Sequence, residues 1–382
     1  MKKFFVILMV VVMSLALVAC GGEKQTDEPS TVIKIGGTGP LTGGAAIYGN
    51  AAANGAKIAV DEINALGGLQ FELRYEDDAH DAEKAANAYN QLKDWGAQIT
   101  LGSVTSAPAQ ATSAMNYADG LFAITPSASS TAVTEGKNNV FQMCFTDPGQ
   151  GTKSAEYISE KGLATKVAVI YKNDDVYSTG IYETFVAEAA NRNMEVVSVT
   201  TFTTETQNDF SVQIADAKNN GADLVFLPMY YDAASLILAQ AAAVGYEPTF
   251  FGVDGMDGIL AMPGFDTSLA EGVILLTSFS ADAEDAKSFV DKYVAAHGET
   301  PNQFAAGAYD AVYALYQACT AAGVTPDMTA QQINDLMIAQ FTTMSFDGVT
   351  GQGMTWAEDG AVSKLPMVVR IENGVYVGVD YE

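Results

Sequence analysis

From position 32 onward the chain alternates short β-branched apolar runs with longer stretches whose apolar residues recur every three or four positions. The first kind reads as strands buried on both faces and the second as helices covering them, the pattern of a parallel sheet wrapped by helices. A first series predicts strand 32–36, helix 49–66, strand 71–76, helix 82–95, strand 98–101, helix 108–117 and strand 121–125. In its first helix Ala59, Ile63 and Leu66 share one face, and Gly67-Gly68 ends it. A second series repeats the rhythm, with strands at 167–171, 195–201, 224–227 and 249–253 separated by helices at 180–191, 210–219 and 233–244. Helices at 284–296, 303–321 and 329–340 then follow in succession before short strands such as 364–371 close the chain. The chain reads as α/β, with two doubly wound parallel-sheet lobes joined by a multi-strand hinge. The late run of helices implies a return to the first lobe, giving lobe 1 as 31–146 with 277–358 and lobe 2 as 147–276 with 359–382.

The N-terminus breaks this pattern. Lys2 and Lys3 precede an apolar run from Phe4, interrupted only by Ser14, that closes on Leu17-Val18-Ala19-Cys20. Such a segment is an export signal, too short to span a bilayer. Its last four residues resemble the bacterial lipobox, which makes 1–19 a removed signal peptide and Cys20 the lipidated first mature residue. Residues 21–30 (GGEKQTDEPS) are polar with no apolar period and read as a flexible tether. An anchored protein of this kind works outside the cytoplasm, where ATP and reduced nicotinamide cofactors are scarce; no cofactor is expected.

Composition narrows the partners. With 19 Lys+Arg against 46 Asp+Glu the net charge is −27, and a protein this acidic has no basic stripe for nucleic acid. A hydrophobic fraction of 48% argues against disorder, and three cysteines in 382 residues exclude a disulfide scaffold. Cys144 and Cys319 read as buried free thiols, with pairing left open.

In open α/β sheets ligands bind beyond the carboxyl ends of the strands. Two such ends in the first series carry small hydroxyls, Ser103 to Ser106 and Thr125 to Ser130, suited either to a carboxylate or to capping the next helix. In the second series strand 249–253 ends at Asp254-Gly255, while neighbouring ends carry Tyr177, Tyr230 and Tyr231. A carboxylate among aromatic rings suits an ammonium group. A zwitterion fits both sides and carries no net charge against the protein's field.

The stretches Ile33-Lys34-Ile35-Gly36, Gly39-Pro40-Leu41-Thr42-Gly43, Tyr48-Gly49, Asp77-Asp78, Ile124-Thr125-Pro126, Gln150-Gly151, Asp209-Phe210-Ser211 and 308–313 (AYDAVY) come in consistent order. In this the chain resembles the leucine/isoleucine/valine-type substrate-binding proteins of ABC transporters, of the type I periplasmic-binding-protein fold. The resemblance implies a monomeric lipoprotein that closes by hinge motion on a small amino acid and delivers it to an ABC permease/ATPase complex. It implies that Ser106, Ser127 and Ser129 hold the carboxylate, that Asp254 holds the ammonium, and that Tyr48, Tyr177 and Tyr230 wall the ligand. Asp147 matches an acidic residue at the hinge or in the cleft. Two departures stand out: branched-chain binders commonly have Glu at the position of Asp254, and the family's disulfide positions hold His80 and Thr105.

Other chemistries are weaker. No GxGxxG and no GK[ST] occurs, and Asp77, Asp78, His80 and Asp81 read as an acidic capping loop before they read as a metal site. A serine hydrolase using Ser106 and His80 lacks a GxSxG elbow, and the other histidine, His297, falls on a helix. A ligand-sensing lipoprotein serving a membrane receptor would share the same site.

Overall fold

The computed structural model describes residues 31–192 and 194–379; the signal segment, Cys20 and the tether lie outside the described residues. Among the described residues no helix is long and apolar enough to cross a membrane.

The first sheet is wholly parallel, built from β1 (Ile33–Gly39), β2 (Phe71–Asp77), β3 (Ile99–Leu101), β4 (Ala123–Thr125) and β5 (Val140–Gln142) in the order β2-β1-β3-β4-β5. The order reverses between β1 and β3, so strand ends diverge there and leave a crevice. Three of the intervening helices are α1 (Ala46–Ala65), α2 (Ala82–Trp95) and α3 (Ser106–Asp119). The segment around Phe141 is the fifth strand of this sheet, in register with β4 through Ile124 and Phe141.

The second sheet takes β6 (Lys166–Lys172), β7 (Glu195–Phe202), β8 (Leu224–Leu227), β9 (Thr249–Gly252), β10 (Ile274–Thr277), β13 (Met367–Glu372) and β14 (Val375–Val379) in the order β14-β13-β10-β9-β8-β6-β7. Its first five strands are parallel and reverse order between β6 and β8; β13 and β14 add antiparallel on the β10 edge. Helices α4 (Asp147–Glu160), α5 (Val176–Asn191), α6 (Ser211–Asn219) and α7 (Tyr231–Ala243) accompany it. Between β10 and β13 come α8 (Lys287–His297), α9 (Gln303–Ala322), α10 (Ala330–Phe341) and the hairpin β11 (Ser345–Gly348) with β12 (Gly351–Thr355). These return to the first sheet: α9 packs along α1 and reaches β3 and β4. The Trp356 indole donates to Gln142 O at 2.8 Å.

Small residues allow the helices to approach. A Cβ on Gly55 of α1 would stand 2.0 Å from Ala305 O of α9, and one on Gly151 of α4 would stand 2.4 Å from Ile181 O of α5. Each sheet is thus covered by a helix pair packed almost backbone to backbone. The caps are conventional: Asp81, Thr146, Asp175 and Asn302 accept backbone amides of α2, α4, α5 and α9, and Thr329 with Gln332 forms a capping box on α10.

Candidate ligand-binding cleft

The carboxyl ends of β3 and β4 on one side, and of β6, β8 and β9 on the other, converge on one small space. It is lined by Ser106, Ser127, Ser129, Tyr177, Tyr230 and Asp254, six of the predicted site residues, together with Val104, Thr105, Gly255 and Phe304. Its volume is about 10 Å³, no more than the roughly 10–15 Å³ one water requires. The two walls therefore meet in this structure.

On the first wall the hydroxyls do not cap α3. Thr105, the N-cap residue, makes no side-chain cap bond; its Oγ1 pairs with His80 Nδ1 at 2.9 Å. Ser106 Oγ accepts Ser130 N at 3.2 Å, and among the described residues its hydroxyl donates no hydrogen bond. Ser127 differs, because its hydroxyl donates to Val104 O at 2.6 Å. Ser129 Oγ accepts from the Gln150 side-chain amide at 3.5 Å. Ser106 and Ser129 are both 1% exposed, so each would act in a dry setting where a hydrogen bond to a carboxylate is strengthened.

The second wall centres on Asp254, in the turn after β9. Its Oδ1 accepts the Tyr177 hydroxyl at 2.6 Å, and that hydroxyl in turn accepts Gly255 N at 2.8 Å. Burial pushes the Asp254 carboxyl up to about 6, a rise that bonds from Tyr177, Gln150 and the Gly255 amide only partly offset. The Tyr177 and Tyr230 rings stack at 4.7 Å with 9° between planes, and His80 stands edge-on to Tyr230 at 5.2 Å. None of the residues lining the space is Lys, Arg or His.

Sequence reasoning missed two residues that join the walls. The Gln150 amide donates to Ser129 Oγ on one side while its oxygen accepts Asp254 N at 3.1 Å on the other. Gln303 Nε2 donates to Asp254 O at 2.7 Å, and its oxygen accepts Ser278 N at 3.1 Å. The Gln150-Gly151 pair carried a signal, since a buried amide beside a glycine in a first helical turn invites a packing explanation. Phe304 also lines the space with no mark in the sequence beyond its place after Asn302-Gln303.

Tyr48 stands elsewhere than expected. It is fully buried behind the pocket, its ring 4.3 Å from Phe304 and 5.7 Å from Tyr230. Its hydroxyl donates to Gly255 O and accepts Tyr231 N at 3.1 Å, so it ties α1 to the second wall and does not line the space. Asp147, at the first turn of α4, is 1% exposed, and neither carboxylate oxygen makes a hydrogen bond of normal geometry among the described residues. Burial holds its carboxyl well above the usual carboxylate range; the Ser129 hydroxyl nearby lowers it only in part, and the Asp254 charge raises it further.

The rival chemistries find no machinery. His80 pairs with Thr105 instead of Ser106, and burial and the Lys172 charge lower its imidazole to about 4. Asp77 is occupied by the amides of Leu41 and Ala79 and by Thr42, Asp78 by the His80 amide, and Asp81 by the cap of α2. No group of three or more His, Cys, Asp or Glu side chains among the described residues could hold a metal. Cys144 and Cys319 are buried and free.

Against known proteins, the periplasmic binding protein family matches residues 32–375. The chain belongs to that family. Its members are solute-binding proteins, so this chain is an extracytoplasmic binding protein and not an enzyme. It is 30% identical to the branched-chain amino acid transporter substrate binding protein LivJ of Streptococcus pneumoniae, solved with isoleucine, with a TM-score of 0.81 over 90% of this chain and 97% of that one. The leucine binding protein LivK of Thermotoga maritima gives the same TM-score at 27% identity, covering 91% and 98%. A leucine-, isoleucine-, valine-, threonine- and alanine-binding protein of Pseudomonas aeruginosa is 28% identical over 310 residues, 78% of this chain and 81% of its own.

Proposed function

We propose that this periplasmic binding protein captures a neutral amino acid in the interlobe cleft and passes it to an ABC permease. Its two sheets would be the cores of lobes comprising 31–146 with 277–358 and 147–276 with 359–382. The observation that carries the reading is the opposition of two chemistries across one dry space: the Ser106 and Ser129 hydroxyls on the first wall, and a carboxylate held by Tyr177 on the second. Ser106 and Ser129 suit the ligand's carboxylate, with the uncapped first turn of α3 adding its dipole. Asp254 suits the ammonium, and Tyr177 and Tyr230 supply ring faces beside it. The absence of any base in the lining disfavours an anionic ligand.

An amino acid cannot enter a space the size of one water, so binding requires the walls to part and re-form around it. A ligand that contacts both walls favours the closed arrangement over the open one by its differential affinity. Cys20 would carry the lipid that holds the protein at the membrane, and mass spectrometry of the mature N-terminus checks this directly.

The decisive test of the ligand class is a thermal-shift panel of the common amino acids with small carboxylates and amines as controls. A cognate amino acid at 100 times its dissociation constant stabilises by about 2.7 kcal/mol. A panel in which amino acids leave the melting temperature unchanged while simple carboxylates raise it overturns the zwitterion reading.

A further inference from the structure

A second space, far larger than the central one, lies on the flank of the cleft. It is a crevice of about 670 Å³, within the roughly 300–1,000 Å³ of small-molecule sites. The partition between the two is Gln303 with the turn after β9. The Gln303 side chain bonds the Asp254 carbonyl, while its backbone amide donates to Asp257 Oδ2 at 2.9 Å on the crevice side.

The crevice draws on both layers of the molecule. Ile47 of α1 comes from the first; Leu260 and Val375 come from the second, and together they give it an apolar surface. The layers touch at Gly258, where φ is 100° and a Cβ would stand 3.0 Å from Ile47 Cγ2. Glycine is required there on both counts.

Its charged groups are of one sign. Asp257 lies in the wall, 5% exposed, and Asp282 and Glu299 stand at the exposed rim, while no Lys, Arg or His lines the space. The Asp257 carboxylate is held by the Gln303 amide, the Gly258 amide and the Tyr376 hydroxyl, all of them neutral. Three neutral donors satisfy this buried carboxylate but none carries a compensating positive charge, and burial raises its carboxyl to about 6. Above that pH it is a fixed negative charge beside an apolar surface.

We propose that this crevice is a second ligand site, for small ammonium ions with an apolar body, and that its occupant braces the closed cleft by touching both layers. The head group would sit toward the carboxylates and the body on Ile47, Leu260 and Val375. Because such an occupant would touch both layers, it would favour their approach, as an amino acid contacting both walls does, and the two ligands would tighten each other by equal factors.

The probe is n-pentylamine, with valerate and n-pentanol as controls of the same body and different head. Saturation-transfer NMR at pH 7.5 is expected to give millimolar binding of pentylamine and at least tenfold weaker binding of both controls. Asp254→Ala should leave pentylamine binding unchanged. Leu260→Trp, or Val375→Trp at an exposed position should the first variant misfold, should weaken it at least tenfold. No detectable amine binding, equal binding of valerate, or loss in Asp254→Ala overturns the second site, the last by assigning the amine to the central cleft. The bracing arm rests on the amino-acid reading: saturating pentylamine should tighten the panel's cognate amino acid at least twofold, and an unchanged or weakened affinity overturns it. Failure of the amino-acid panel itself leaves the pentylamine titration readable, so the two ideas fail separately.

Discussion

The two walls of the central cleft arise from the same local device and carry opposite chemistry. Each is a row of parallel strands ending at a point where strand order reverses, followed by loops that open helices. On the first wall those loops carry Ser106, Ser127 and Ser129; on the second they carry Asp254 among tyrosines. Fold geometry delivers the positions, and the residue types at the strand ends decide what they recognise. The walls also differ in strain: the hydroxyls are neutral and tolerate burial, whereas Asp254 is held as a carboxylate only by bonds from Tyr177, Gln150 and Gly255 against its own desolvation.

That contrast predicts the largest effect at Asp254. Asp254→Ala leaves a ligand ammonium buried without its partner and should weaken amino-acid binding by at least 2 kcal/mol. Calorimetry showing unchanged affinity would remove the second wall from the site. Gln150→Leu comes next, because it strips the Asp254 amide and Ser129 of the one side chain that bonds both; a loss of about 1–3 kcal/mol is expected.

The charge on the second wall also gives the cleft a pH signature with opposite signs for binding and folding. The Asp254 carboxyl sits near 6 in the folded protein and must be ionised to hold an ammonium. Affinity should therefore fall about tenfold for each pH unit below 6, or about 1.4 kcal/mol. Folding runs the other way. A carboxyl raised above its unfolded value of 3.8 binds its proton more tightly when folded, so it adds stability as pH falls from above 6 toward 3.8. Asp78, Asp175 and Asp257, each also near 6, act in the same sense, while His80, lowered to about 4, opposes them. Thermal melts of ligand-free protein at pH 7 and pH 5 should thus show greater stability at pH 5, while titrations show weaker binding. Asp254→Asn should flatten the binding profile.

How far the sequence reaches follows from what each residue's evidence is made of. Strand-helix alternation is local and periodic, so β1 to β4 and β6 to β9 are legible within three residues, and so are the successive helices α8, α9 and α10. Asp254 and the serine loops are legible because a strand end is a place in the sequence as well as in space. Gln150, Gln303 and Phe304 are not. The roles of the two glutamines depend on bonds spanning 21 residues for Ser129, 104 for Asp254 and 49 for Asp254 again, which no local pattern encodes. Tyr48 shows the same limit from the other side: its position near the cleft is readable, but only packing reveals that both hydrogen-bonding capacities of its hydroxyl are already used.

The smallest and sharpest effect lies within the first wall, where three serines that look alike in sequence differ in where their protons go. Ser106 Oγ accepts Ser130 N, which leaves its proton available to a ligand carboxylate, whereas Ser127 already donates to the buried Val104 carbonyl at 2.6 Å. Ser106→Ala should therefore weaken binding by about 1–2 kcal/mol with little change in melting temperature. Ser127→Ala should do the reverse: it leaves the Val104 carbonyl without that bond and lowers stability by about 1 kcal/mol, while the dissociation constant stays within about twofold. Measuring both variants by calorimetry and thermal denaturation separates donors to the ligand from donors to the scaffold. Equal losses of affinity would mean that Ser127 turns its proton from Val104 to the ligand on binding, and the carboxylate would then be held by three hydroxyls instead of two.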